Sequence, residues 1–304
     1  MTDTSANPDT ETSIYDELPD APPKQKLRLS WMGKLGVTVV GFWLLMALLG
    51  PYIAPFHEAD IIADDSFMPA FSQTEGEGKH WLGTDYIERD LMSRIMWGAR
   101  TTIGISFSAT LLAYFIGVTL GIAAAVAGGW IDMAFSRVND AVLSLPSIML
   151  GLLIVVALGT SIPILIGTAA VIYAASVFRI ARALGQDIMV MDFVEAARAR
   201  GEGLWWIITR EVLPNAAMPL ATDFGLRLVF VVLFISSLSF LGLGIQPPMA
   251  DWGSMVRQNL DGLGYGSYAA VWPALAIASF TISINLIVDD ISATSGGSLA
   301  RKMI

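Results

Sequence analysis

Cysteine is absent from this 304-residue chain, and only two residues are histidine. The absence of cysteine excludes disulfide bonds, thiolate metal sites and a cysteine nucleophile. Charged residues are also scarce, at 15% of the sequence, whereas soluble domains carry about 25%. The net charge of −9 disfavours nucleic acid as a partner, because phosphate binding requires a basic patch. We therefore expect neither nucleic-acid binding nor a metal site.

Hydrophobic residues supply 54% of the sequence, and the mean hydropathy is +0.61. These residues fall in long blocks, and a bilayer core of about 30 Å requires about 20 apolar residues in helical form. The pattern predicts an all-α membrane protein with six transmembrane helices. The predicted spans are residues 35–53, 101–127, 138–159, 162–178, 220–243 and 269–288.

The 18 Lys and Arg residues are distributed unevenly between the loops. With the N-terminus in the cytoplasm, twelve lie in cytoplasmic segments, five lie on the opposite side and one, Arg227, lies within a span. Loops on the cytoplasmic side of membrane proteins carry the excess of positive charge. The distribution therefore predicts a multi-pass chain with both termini in the cytoplasm.

Composition divides the chain into five segments. Residues 1–23 are acidic and poor in apolar residues, which predicts a disordered cytoplasmic tail. Residues 24–34 interleave cations with leucine and tryptophan, which is typical of a basic interfacial segment or of a simple positive flank. Residues 35–100 hold the first span and an outer loop, residues 101–290 form the transmembrane core, and residues 291–304 form a cytoplasmic tail.

The cytoplasmic segment 192–215 begins with a predicted short helix. Asp192 is a good N-cap residue, and Glu195 three positions later can complete a capping box. The helix is predicted over residues 193–200 and ends at Gly201. A helix of this length is marginal in water by itself, so we expect it to dock either on this chain or on another subunit.

The rest of this segment predicts a second helix over residues 204–213, after which a proline begins the return to the membrane. The glutamate-alanine-alanine start, the glycine four residues later and the leucine-proline end resemble the EAA loop of ABC importer permeases. The matching residues are Glu195, Ala196, Ala197, Gly201, Leu213 and Pro214, and the resemblance implies that they and Asp192 couple the chain to an ATPase.

Further segments resemble the C-type permease of the dipeptide, oligopeptide and nickel branch of that family. They are residues 82–100, residues 239–253 and the pair Trp272-Pro273. The outer-loop motif comprises Gly83, Thr84, Asp85, Arg89 and Asp90. Family members usually have a glycine where this chain has Glu88, so the outer turn is expected to differ, and the sequence after Asn285 also departs from the usual pattern.

The resemblance implies a type I ABC importer permease fold with a cytoplasmic coupling helix, in the bacterial inner membrane. It also implies two cytoplasmic ABC ATPase subunits, a second permease of the B type and a periplasmic solute-binding protein as partners. ATP and Mg would bind to the ATPases and no cofactor to this chain, because neither Gly-Lys pair in the sequence fits a phosphate-binding loop. The implied role is transport, with no enzymatic activity of its own.

Charged groups inside a membrane are functional candidates. Asp223 and Arg227 stand four residues apart and can pair on one helix face. The pair is interpreted as an internal ion pair, with contact to the substrate as the alternative, and Asn285 is a further candidate for the path or gate. The two histidines, His57 and His80, are expected at the surface.

Several residues are candidates for flexible points in the spans, namely Gly117, Gly121, Gly128, Gly129 and Pro146. Glycines in transmembrane helices also serve as close-packing sites, and this alternative is the stronger of the two.

Two other function classes compete with the permease hypothesis. The sequence lacks the catalytic residues of an intramembrane enzyme. A zinc-binding helix that began at His57 would need a second histidine at the position that Ile61 occupies. An ion-driven secondary transporter is expected to have paired halves with broken helices, and no such internal repeat is visible. Peptide is the expected cargo, and nickel chelates, opines or glycosides are the alternatives.

Overall fold

The structure is a computed structural model that describes residues 29–63, 65–74 and 78–300, with side chains described as far as residue 293. The predicted tail 1–23 and residues 24–28 of the predicted interfacial segment lie outside the described residues. Residues 301–304 of the C-terminal tail also lie outside them.

Helices form most of the described chain. The helices are α1 (Trp31–Ile53), α2 (Leu91–Ala127), α3 (Gly129–Leu143), α4 (Ser147–Leu158), α5 (Ile162–Met189), α6 (Asp192–Ala199), α7 (Leu204–Ile207), α8 (Leu213–Phe240), α9 (Trp252–Gln258) and α10 (Val271–Ala300). A π turn over Ile208–Val212 joins α7 to α8, and a 3₁₀ helix covers Leu260–Tyr265. Two short strands, β1 (Ser72–Thr74) and β2 (Gly78–His80), form an antiparallel hairpin.

The prediction of an all-α chain with six spans is confirmed in its main features. Within the described residues, five helices are long and apolar enough to cross a membrane, and the pair α3 and α4 makes a sixth if it counts as one span. All five extend beyond the predicted apolar runs: α1 starts at Trp31, α2 starts at Leu91, α5 continues to Met189, α8 starts at Leu213 and α10 continues to Ala300.

The third predicted span, residues 138–159, is wrong as a continuous helix. Helices α3 and α4 meet at an angle of 87°. The break lies at Pro146, which has no N–H to continue the helix and whose ring disfavours helical backbone at the preceding residue. The candidate flexible point at Pro146 therefore lies at a sharp bend between two helices.

Glycines bring α2 and α5 into direct backbone contact. A Cβ atom at Gly117 would lie 2.8 Å from the carbonyl oxygen of Ala174, and one at Gly121 would lie 2.7 Å from that of Phe178. Such distances leave no room for a side chain, which supports close packing as the role of these two glycines. Because higher residue numbers in α2 meet higher residue numbers in α5, the two helices run parallel.

Helix α1 packs along α10. The indole Nε1 of Trp43 donates to the hydroxyl of Ser279 at 2.9 Å. The backbone N–H of Ser30, the N-cap of α1, donates to a carboxylate oxygen of Asp290 at 2.9 Å. A carboxylate is favourable at this end because the N-terminus of a helix carries a partial positive charge.

The long connections between α1 and α2 and between α8 and α10 meet at one end of the bundle, in a region called here the loop cluster (the described residues of 54–90 and 241–270). Its hairpin and turns lie before the start of α2, whereas α6 follows the end of α5. Because α2 and α5 are parallel, the loop cluster and α6 lie at opposite ends of the bundle.

Candidate functional site

Helix α6 begins without a side-chain cap. The N-cap residue is Met191, and Asp192 and Glu195 both lie in the first turn. The predicted capping box is therefore wrong, because Asp192 already has helical backbone and cannot act as the N-cap residue. The two carboxylates remain favourable there through the partial positive charge of the helix N-terminus.

The prediction that Gly201 ends this helix is confirmed. Gly201 has a φ of 83°, a left-handed conformation that favours glycine. The backbone N–H of Glu202 donates to the carbonyl of Ala197 at 3.2 Å, which closes the last turn. Apart from Gly201 and its two chain neighbours, no atom of the described residues lies within 4 Å of a Cβ built at Gly201, so the turn leaves open space beside it.

Helix α6 has one face against its own chain and one face free. Val194 and Ala197 are fully buried in a cluster that includes Ile207 and Val212. Ala197, although part of the matching motif, therefore packs inside this chain and does not face a partner. The exposed residues of the helix are Asp192, Phe193, Glu195, Ala196, Arg198 and Ala199.

The second predicted helix, residues 204–213, is not a separate element. The chain runs from Leu204 through the π turn into α8, so that residues 204–240 form one continuous helical stretch. Pro214 lies directly after the π turn and has no N–H to donate to the turn before it. Leu213 and Pro214 thus belong to the first turn of a spanning helix, and both are exposed.

The outer-loop motif forms a tight buried turn. Gly83 has a φ of 85°, and a Cβ there would collide with the carbonyl oxygen of Met68. The hydroxyl of Thr84 donates to the carbonyl of Asp65 at 3.0 Å and accepts from the N–H of Met68 at 2.8 Å. These residues therefore fix the path of the loop cluster.

Asp85 forms ion pairs with two buried arginines. Its carboxylate accepts from Nε of Arg89 at 2.8 Å and lies 3.5 Å from Nε of Arg94. It also accepts from the backbone N–H groups of Ile87 and Arg89, both at 3.0 Å. Among the described residues, Asp85 is therefore the one carboxylate within ion-pair distance of both buried arginines, and Arg94 also donates to the backbone carbonyl of Glu58 at 3.2 Å.

Asp90 caps α2 and is a hydrogen-bond partner of His80. Its side chain accepts from the backbone N–H and the hydroxyl of Ser93, at 2.8 Å and 2.7 Å. Nδ1 of His80 lies 3.0 Å from Asp90, and Nε2 of His80 lies 3.1 Å from the hydroxyl of Thr74. His57 is exposed as predicted, but the surface placement of His80 is wrong, because its ring is fully buried between these two partners.

Glu88 stands in a backbone conformation that suits glycine. Its φ is 68°, which accounts for the glycine that family members usually carry there. We expect Glu88→Gly to stabilise the loop cluster by up to about 1 kcal/mol and Glu88→Val to destabilise it by about 1 kcal/mol, because left-handed backbone strains β-branched residues most. Thermal unfolding of the purified variants should rank Gly above Glu above Val, and the reverse order would contradict this assignment.

Asp223 and Arg227 form the predicted ion pair. Nη2 of Arg227 lies 3.1 Å from Oδ1 of Asp223, and the hydroxyl of Tyr114 on α2 donates to Oδ2 at 2.5 Å. Asn285 is half-buried on α10. In the described part of the chain it makes no hydrogen bond or ion pair with Asp223 or Arg227, so the structure does not bring these three candidates together.

One buried carboxylate has almost no signal in the sequence. Asp251 is the N-cap of α9, accepts from the N–H of Ser254 at 2.9 Å and from the hydroxyl of Thr102 on α2 at 2.9 Å. Burial raises the pKa of Asp251 above the ordinary range of an aspartate. Its only sequence signal is that an aspartate before Trp252-Gly253 can begin a helix. Surface helices begin in the same way, so this signal does not predict burial.

A family model described as "Binding-protein-dependent transport system inner membrane component" matches residues 117–293. This range includes α6, the ion pair and Asn285, and it excludes the turn of residues 83–90.

Curated relatives extend the similarity beyond that range. The glutathione transport system permease protein GsiD of Pectobacterium atrosepticum is 33% identical over 216 residues, 69% of this chain and 70% of the relative. The dipeptide transport system permease protein DppC of Alkalihalophilus pseudofirmus is 29% identical over 265 residues, 87% of this chain and 85% of the relative. The di/tripeptide permease protein DppC of Pseudomonas aeruginosa is 31% identical over 243 residues, 80% of each chain.

A solved structure has a similar fold. A chain of the methionine ABC transporter MetNI, in inward-facing conformations, superimposes with a TM-score of 0.56 at 17% identity. The match covers 67% of this chain and 97% of that chain.

Proposed function

This chain belongs to the family of inner membrane components of binding-protein-dependent transport systems, and from that membership we propose that α6 couples it to a cytoplasmic ATPase. The chain is a permease subunit of an ABC importer with the type I permease fold. Its partners, its orientation in the membrane and its cargo are further parts of the proposal.

The free face of α6 is the observation that carries the proposal. Val194 and Ala197 lie in one buried cluster with Ile188 of α5 and Ala216 of α8, which ties the movement of α6 to these spans. Glu195 and Ala196 remain exposed, and the space beside Gly201 is open. One face of this short helix packs against its own chain and the other face is exposed. A partner bound to the exposed face can therefore transmit its movement to the membrane-spanning helices.

ATP hydrolysis then belongs to the partners. We infer two ABC ATPase subunits that carry ATP and Mg, a second permease chain of the B type and a periplasmic solute-binding protein. ATP would drive the ATPases together and shift the permease from one conformation to the other. Such a shift requires contacts that differ between the two states, and the α6 contact is our candidate for them.

We propose that α6 and both termini lie in the cytoplasm. The excess of Lys and Arg on that side supports this orientation. The opposite positions of α6 and the loop cluster are consistent with it, because a solute-binding protein and an ATPase must approach from different sides. The loop cluster would then face the solute-binding protein.

Peptide is the proposed cargo. Several relatives are named as dipeptide, di/tripeptide or peptide permeases, and others as glutathione permeases. Glutathione is itself a tripeptide. Peptides therefore take precedence over nickel chelates, opines and glycosides.

Reconstitution of the importer tests this function. The two permeases, the two ATPases and the solute-binding protein in proteoliposomes are expected to take up trialanine only when ATP is present. The purified chain alone is expected to hydrolyse no ATP. Uptake that runs on an ion gradient without ATP would support a secondary transporter instead.

A further inference from the structure

Arg179 of α5 lies between two cavities. The first, called here the arginine cavity, has a volume of about 280 Å³ and is lined by Ser176, Arg179, Ile180 and Arg227. The second, called the α3 cavity, has a volume of about 230 Å³ and is lined by Ser136, Asn139, Asp140, Phe178, Arg179 and Arg182. Ser176, Arg179 and Ile180 share one helix face, because residues three and four apart lie above one another.

The arginines around these cavities differ in their charge partners. Arg227 pairs with Asp223 at 3.1 Å, and Arg182 pairs with Asp132 on α3. Arg179 has no carboxylate within ion-pair distance among the described residues, and its side chain is exposed. The lining of the arginine cavity therefore includes one arginine that is paired with Asp223 and one that has no carboxylate partner among the described residues, whereas the α3 cavity is also lined by Asp140.

The depth of the arginine cavity argues for a water-filled path. Arg227 precedes the end of α8 at Phe240 by 13 residues (240 − 227), a distance of about 20 Å along a helix. This is well inside a hydrocarbon core of about 30 Å. Charged side chains at such depth face the bundle interior or an aqueous cavity and mark solute pathways.

Unpaired donors line the α3 cavity. Nδ2 of Asn139 and the hydroxyl of Ser136 are buried and have no hydrogen-bond partner among the described residues. Asn139 is 7% exposed. A buried donor without a partner is costly, and a ligand with acceptor oxygens would satisfy both groups.

We propose that Arg179, with Arg227 and Ser176, binds an anionic oxygen group of the cargo on the translocation path. The group is a carboxylate, which every unmodified peptide carries at its C-terminus. The α3 cavity extends the site with two neutral donors. This inference rests on the proposed function for its cargo, but the anion site itself is defined by the two arginines.

The absence of cysteine gives a direct test of the site. Ser176→Cys introduces one thiol into this chain, and its labelling by methanethiosulfonate reagents can be followed in the reconstituted importer. A sulfonate-bearing reagent is expected to react faster than a trimethylammonium-bearing one. Arg179→Gln should lower the ratio of the sulfonate to the trimethylammonium labelling rate by about tenfold, because one nearby positive charge is lost. Arg179→Lys keeps the charge and should retain this ratio.

Arg137→Gln is the matched control. Arg137 is an exposed arginine of α3 that lines neither cavity, so its loss should leave the preference unchanged. Assembly with the ATPases is measured for every variant, so that a misfolded protein is recognised. A thiol at position 176 that does not react, or an equal effect of Arg137→Gln, would overturn the anion site.

Protection of the thiol at position 176 from labelling identifies which anion occupies the site. Trialanine is expected to slow labelling by the sulfonate reagent, and trialanine amide is expected to slow it much less. Protection by phosphatidylglycerol in the bilayer, without protection by trialanine, would assign the site to a lipid headgroup and overturn the proposal. If wild type takes up no peptide while the sulfonate preference persists, the cargo assignment fails and the anion site stands.

Discussion

Asp85→Asn is expected to destabilise the folded chain by about 3–5 kcal/mol, the cost of leaving a buried charge without its partner. Asp85 is fully buried and contacts Arg89 and Arg94, which are themselves buried. Asparagine has nearly the same shape but supplies no charge for either guanidinium. The loop cluster should therefore lose its order, with a large drop in unfolding temperature and faster proteolysis between α1 and α2.

Asp261→Asn is the control for this change. Asp261 lies in the same loop cluster but is exposed, and exposed charges contribute little to stability. The control should unfold within a degree or two of the wild type. An Asp85→Asn protein as stable as the control would mean that the arginines are satisfied by water or backbone, and that this turn does not hold the cluster together.

Gly201→Asp is expected to reduce the amount of ATPase that co-purifies with the permease by tenfold or more. In the proposed complex the open space beside Gly201 is filled by the ATPase, so aspartate would bury an unmatched charge at a cost of several kcal/mol, and each 1.4 kcal/mol corresponds to a factor of about 10. The spans should insert normally, because a Cβ at this position would meet no described residue other than its two chain neighbours. ATPase recovery and uptake are compared at matched membrane levels.

Gly201→Asn separates charge from shape in this experiment. Asparagine matches aspartate in size and tolerates left-handed backbone, so the two variants differ mainly in charge. Asn should retain clearly more ATPase than Asp. Normal ATPase recovery and uptake with Gly201→Asp would mean that residues 192–215 do not form the coupling site.

The spans could be predicted from the sequence because the bilayer imposes one requirement, a long apolar helix. Their ends could not be predicted in the same way. Helices α2 and α5 continue outside the predicted runs at Leu91 and Met189, where packing and capping, rather than hydropathy, sustain the helix. The bend between α3 and α4 has a local cause in Pro146, but proline inside a span is often tolerated, so the residue alone does not predict an angle of 87°.

Residues 192–215 illustrate the same limit at the level of side chains. The motif locates α6 and its terminal glycine correctly because these depend on local backbone. It does not say which face is free, since the burial of Ala197 arises from Ile207 and Val212 later in the chain. The burial of His80 and of Asp251 has a similar origin, because each side chain meets its partners only in the fold.

Site-specific photo-crosslinking in whole cells tests the central claim most directly. Benzoylphenylalanine replaces Phe193, an exposed aromatic residue of α6, and separately Tyr268, which is 68% exposed in the loop cluster. Both substitutions exchange one aromatic side chain for another, so each leaves its local structure largely intact. The probe at Phe193 should form an adduct with an ABC ATPase subunit, and the probe at Tyr268 should form none with it. An ATPase adduct from Tyr268 and none from Phe193 would place the ATPase at the other end of the bundle and contradict the proposed coupling site.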